Sequence, residues 1–169
     1  MAKIKTQHRL IPELIPEPLW GVSAYRVFGK TKPWKEIRQD TLENAGNKCE
    51  ACGADGPQLA CHDKWKYDDK TRVATLIGFE VRCVLCHSAT HIGRAIKLGF
   101  EKDAIRQLCK VNRCTEREVG EMIETAMSQW EKRSEKQWKV VIAPELLRRY
   151  PRLEEVPLMV PSTSSEPTE

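Results

Sequence analysis

Seven cysteines and four histidines are the residues of this chain best suited to chemistry, and most of them share one window. Cys49-Glu50-Ala51-Cys52 and Cys83-Val84-Leu85-Cys86 are two C-x-x-C turns separated by thirty residues. Each turn offers two thiolates on a curved backbone, and two turns complete a tetrahedron around one ion with metal–sulfur bonds of ~2.3 Å. The residues read as ligands of a structural zinc, because four thiolates leave no open position for water or substrate. A redox-active pair is the rival reading, but it would prefer one such turn in a βαβ setting. Cys109, beside Ile105 and Leu108, and Cys114 read as small buried residues. His62, His87 and His91 fall in the same window. His87 and His91 are four apart, so on a helix they can hold one ion from one face. A lone histidine is more often a hydrogen-bonded structural residue, but three of four beside a zinc turn favour a second metal site.

Several elements must position these groups. Trp34, Ile37, Arg38, Thr41, Leu42 and Ala45 recur at three- and four-residue steps, which predicts an amphipathic helix ended by Gly46. Residues 58–63 and 73–81 read as short strands, with Lys64 to Arg72 a charged loop between them. His87 to Leu98 reads as one helix and Glu101 to Val111 as another. Thr115-Glu116-Arg117-Glu118 fits a capping box. The helix it opens is expected to run to about Trp138, burying Val119, Met122, Ile123, Ala126, Met127 and Trp130. Lys139 to Ile142 suits a closing strand. Before all of this, three prolines between Pro12 and Pro18 fix an extended arm whose Leu19 and Trp20 should dock on the domain.

The whole chain bounds these readings. It has 169 residues, 40% hydrophobic and 31% charged, as expected of one domain with extensions. No run approaches the ~18 apolar residues of a membrane span, so no membrane role is expected. The N-terminus leads into no apolar signal core, and the cysteine count is odd; both point to a cytoplasmic protein without a disulfide framework. Net charge is +4, and the tail from 161 to 169 carries two glutamates and no base. That leaves a mildly basic body, which permits an anionic partner.

A C-x-x-C turn, a strand ending in a histidine-containing dyad, a second strand, C-x-x-C-H and another His four residues on resemble the HNH, or His-Me finger, endonucleases. The likeness covers roughly Trp34 to Leu98. The flanks Ile11 to Trp20 and Trp130 to Trp138 also look like those of small HNH endonucleases, where the stretch matching His62 to Asp69 commonly reads His-Glu-x-Trp-x-Tyr-Asp-Asp. The resemblance implies an α+β fold: a treble-clef-like, zinc-bound ββα-metal core with flanking helices. With the proline-fixed arm and a tail of Pro, Ser, Thr and Glu, the chain is expected to divide into an extended N-terminal arm (1–33), the core (34–98), a helical C-terminal region packed on it (99–160) and a disordered tail (161–169).

By the same resemblance, Cys49, Cys52, Cys83 and Cys86 hold the structural zinc. His62 takes the family's ligand position and Asp63 its general-base position, while His87 and His91 match the helix ligands, as in the colicin nucleases. The implied catalytic ion is a divalent cation, Mg²⁺, Mn²⁺, Ni²⁺ or Zn²⁺, and the implied substrate is DNA, with RNA open. Two positions depart from the pattern: the base is usually histidine, and the asparagine expected five residues before Cys83 is Gly78. A rival register makes His62 the base and Cys61 the first ligand, which would set a soft thiolate on a hard cation. Arg82, Arg94 and Lys97 are candidates for flanking phosphates. Asp68 and Asp69 suit either a histidine N–H or a solvated loop. Three functions follow for testing: a metal-dependent nuclease, a non-catalytic nucleic-acid-binding zinc module, and a protein-interaction domain built on the 116–138 helix. A protein partner or a homodimer for targeting stays open.

Overall fold

The computed structural model describes residues 9–29 and 32–155; the tail at 161–169 lies outside the described residues. The fold is mixed α and β, built on a three-stranded sheet in the order β1-β2-β3. Strands β1 (Leu59–Asp68) and β2 (Val73–Cys83) form a long antiparallel hairpin, and β3 (Lys139–Ile142) lies parallel to β2 on its other side. The first strand has 10 residues and runs five positions past the end expected for it. Trp65 and Tyr67 alternate with exposed Lys64, Lys66 and Asp68, a half-buried strand pattern that the lysines had disguised as a loop. Only the turn remains irregular, where Asp68 Oδ1 accepts the N–H groups of Lys70 and Thr71 at 2.9 and 3.1 Å. A bulge follows Lys64: Lys64 pairs with Gly78 but Trp65 with Leu76, leaving Ile77 unpaired.

Helix α2 (Lys32–Asn44) precedes the first cysteine turn and buries Trp34 and Ile37. Gly46, at φ +60°, ends it: its N–H bonds Glu43 O and the Asn47 N–H bonds Leu42 O, the paired bonds of a Schellman stop. This stop aims the chain directly into Cys49. The region expected to be wholly extended includes a short helix, α1 (Ala24–Phe28), whose N-cap Ser23 accepts the Arg26 N–H. Leu19 is buried as expected, but Trp20 is 58% exposed, with its indole N–H on Ile15 O and its backbone N–H on Glu17 O.

After β2 the chain turns into α3 (Val84–Thr90) and α4 (Ile92–Lys97) rather than one helix. The break falls at His91, with φ −90° and ψ 54°. An unbroken helix would give the Thr90 carbonyl to the Arg94 N–H. Instead Arg94 N–H bonds His91 O, and Thr90 O is taken by the Glu13 N–H at 2.7 Å. Helices α5 (Glu101–Asn112) and α6 (Glu116–Ser134) close this half of the molecule, the second opened by the full Thr115–Glu118 capping box. It stops four residues short of Trp138, whose buried ring returns its N–H to Arg133 O. Its expected stripe is only partly covered: Val119 is buried, whereas Met127 is 40% exposed. The C-terminal region is thus not purely helical; β3 joins the sheet, and α7 (Pro144–Arg149) packs Leu146 beneath it. Among the described residues no helix is long and apolar enough to cross a membrane.

Candidate metal centres

The hairpin and α3 bring the two cysteine turns together. Cys49 and Cys52 sit on the loop that follows α2, Cys83 is the last residue of β2, and Cys86 lies in the first turn of α3. Their four sulfurs lie within 4.8 Å of one another, close enough to hold a metal ion such as zinc. Cys52 Sγ and Cys83 Sγ are 3.7 Å apart, too far for a disulfide. It is close to the ~3.8 Å edge of a tetrahedron with ~2.3 Å bonds. None of the seven cysteines is in a disulfide. Burial raises the Cys86 thiol, while its sulfur accepts the Gln107 amide N–H at 3.0 Å. Burial also acts against the Cys49 thiolate, yet surrounding backbone N–H groups pull it down to about 7. Buried Gln107 on α5 had no signal in the sequence; its role appears only when α5 packs on α3.

The second centre also draws on α3, through the residue that follows Cys86. His62 on β1, His87 on α3 and His91 at the helix break offer ring nitrogens within 4.8 Å of one another, a set that can hold a metal ion. Their rings meet edge to face, with centroids 4.7–5.2 Å apart. His62 is 6% exposed. Burial lowers His87 to about 4 and His91 to about 3, helped by His62 and Arg94, so both are neutral at pH 7 with lone pairs free for an ion. The donor set therefore fits a divalent cation: three imidazoles, no competing charge on His87 or His91, and one side left without a histidine. The helix break keeps the i, i+4 relation, since His91 N–H still bonds His87 O.

Other sequence candidates fall at varying distances from this set. Asp63 is 8% exposed, and its Oδ2 accepts the Ala24 N–H at 2.8 Å, on the side of α1. Neighbouring strand residues face opposite ways, so His62 and Asp63 divide between the two faces of the hairpin. Burial raises the Asp63 carboxyl against the Ala24 bond. Cys61 also turns toward α2, where burial pushes its thiol to about 11; it is not in the histidine group. Gly78 stands opposite Lys64 with nothing within 4 Å of an added Cβ. Arg82 is buried and doubly bonded to Glu80, at 2.9 and 2.6 Å. Arg94 and Lys97 are exposed on α4. Asp68 shapes the hairpin turn, and Asp69 pairs with Arg133 of α6 through both oxygens at 2.7 and 2.8 Å. The missed residue is Glu13: its Oε2 lies 3.3 Å from His62 Nε2, carried there by the arm.

The chain matches no family model, no curated protein and no solved structure in these comparisons.

Proposed function

We propose that the chain is a metal-dependent nuclease of the HNH type, hydrolysing DNA phosphodiester bonds, with a zinc-bound treble-clef-like core. The observation that carries the reading is the convergence of His62, His87 and His91 on one point beside a four-cysteine cluster, across a β-hairpin and the helix after it. Cys49, Cys52, Cys83 and Cys86 hold the structural zinc, and the three histidines hold the catalytic cation. His62, His87 and His91 would hold a divalent cation, which when bound would supply Lewis-acid stabilisation to a phosphoryl oxygen and to the leaving oxygen. Around it, Arg94 and Lys97 offer exposed positive charge to flanking phosphates. Asp63 is the base by family position alone: it lies on the opposite face of the hairpin from His62, with its Oδ2 on the Ala24 N–H.

Two observations favour a second reading, a nucleic-acid-binding module that keeps the scaffold without the chemistry. Asp63 is buried and committed to the Ala24 N–H, and Gly78 stands where the family has asparagine. Plasmid cleavage with Mg²⁺, Mn²⁺, Ni²⁺ or Zn²⁺ added in turn decides between them. The nuclease reading expects nicking that disappears in His62→Ala while that variant retains its cysteine-bound zinc. No cleavage with any metal, from zinc-loaded protein that still binds DNA in a salt-dependent manner, supports the module instead.

A further inference from the structure

We propose that the N-terminal arm is part of the three-histidine centre, with Glu13 as the positioning residue for His62; this rests on the metal-site reading above. The arm is held over the site by specific bonds rather than by packing alone. Arg9 N–H and Leu10 N–H both donate to Asn112 Oδ1 at 3.0 Å, and Asn112 Nδ2 donates to Leu10 O at 2.6 Å. Further along, Glu13 N–H takes the Thr90 carbonyl at the helix break, and the Trp130 indole N–H donates to Ile15 O at 3.1 Å. Pro12 and Pro16 are buried, and Leu14 lies so near Gly93 that a Cβ there would meet its Cδ2 at 2.8 Å. Glu13 is thus pinned by its own backbone to Thr90, the residue before His91.

Its side chain does what a metal-binding imidazole requires of a partner. A ligating histidine usually donates its second ring N–H to a carboxylate, which fixes the ring and strengthens the ligand. Glu13 Oε2, 3.3 Å from His62 Nε2, is placed to accept that proton, leaving Nδ1 with the lone pair for the ion. The carboxylate is not itself within the mutually close set of ligand atoms, as expected of a group that acts through His62. The half-exposed proline arm, dispensable as a mere wrapping, then becomes the element that decides how tightly the second ion is held.

The test titrates Ni²⁺ alone into the zinc-loaded full chain by calorimetry. Wild type takes up one further ion and His62→Ala takes up none. Glu13→Ala weakens this uptake about 10- to 100-fold, and Glu13→Gln, which keeps an acceptor oxygen, recovers part of the loss. Asn112→Ala loosens the arm that carries the carboxylate and weakens uptake in the same direction, but adds little when combined with Glu13→Ala. Zinc content and melting temperature confirm that each variant is folded. Nitrogen NMR of the metal-free histidine site shows His62 protonated on Nε2. Uptake by Glu13→Ala equal to wild type, or a full further loss when Asn112→Ala is added to Glu13→Ala, overturns the assignment of Glu13 and leaves the metal site standing. If wild type takes up no second ion, the metal-site reading fails, and the role of Glu13 fails with it.

Discussion

Gly78 is the residue whose identity most separates this chain from the pattern it resembles, yet its surroundings do not demand glycine. No atom lies within 4 Å of a Cβ built there, and its backbone is outside the left-handed region. Gly78→Asn is therefore expected to fold and to melt at the same temperature or slightly higher, since glycine in a strand costs roughly 0.5–1 kcal/mol. Thermal denaturation checks this, and the plasmid assay then shows whether the added amide raises cleavage. The histidines make a different prediction. His87 and His91 sit near 4 and 3 in the folded chain, against about 6.5 when unfolded. The unfolded chain then binds more protons through this interval, so the stability these two rings contribute is whole above pH 6.5 and falls as pH drops toward 3. NMR titration without metal at the histidine site should find both rings in their neutral form at pH 6, moving only below about pH 5. Midpoints near 6.5 would contradict the burial that defines the site.

At the scale of elements, the parts with a repeating pattern were legible and those set by contact between distant segments were not. The α2 helix, the Gly46 stop and the Thr115 box are local, each decided within about a turn of chain, and each is found where its residues put it. Replacing Thr115 by Ala should cost roughly 1 kcal/mol in chemical denaturation, the usual value of such a cap. The cysteine and histidine groups were also readable, because ligand type and spacing constrain geometry strongly. The second half of β1 was hidden because Lys64 and Lys66 carry a loop-like charge, while its strand character depends on pairing with β2. The break at His91 depends on an N–H arriving from residue 13, and Gln107 reaches Cys86 only through helix packing. Glu13 was unreadable for the same reason: its neighbours in sequence are prolines and leucines, and its partner is forty-nine positions away.

For the molecule as a whole, the cysteine centre is also the middle of a hydrophobic cluster. Cys49 and Cys86 are fully enclosed with Leu59, Val81, Ile92, Leu108 and Val119, so an ion held by the cysteines would stabilise the same packing as the apolar core. Chelation should loosen more than residues 46–90, the span expected from the cysteine turns alone. Hydrogen exchange is expected to show protection lost along α5 and the start of α6 as well. The separate cluster around Phe28, Trp34, Leu76 and Leu153 should exchange more slowly after metal is withdrawn. Uniform loss everywhere would mean that the two clusters unfold as one unit.

The parallel pairing of β3 with β2 bears on the order of events during synthesis. Val73 is partnered by Lys139, sixty-six positions later. The hairpin leaves the ribosome long before that partner exists, so the Val73–Leu76 stretch of its longest strand lacks its outer neighbour until residues 139–142 emerge. A nascent chain paused short of that point presents an adhesive edge to any other unpaired strand nearby. Four late residues thus cover the stretch of edge that the earlier chain leaves open.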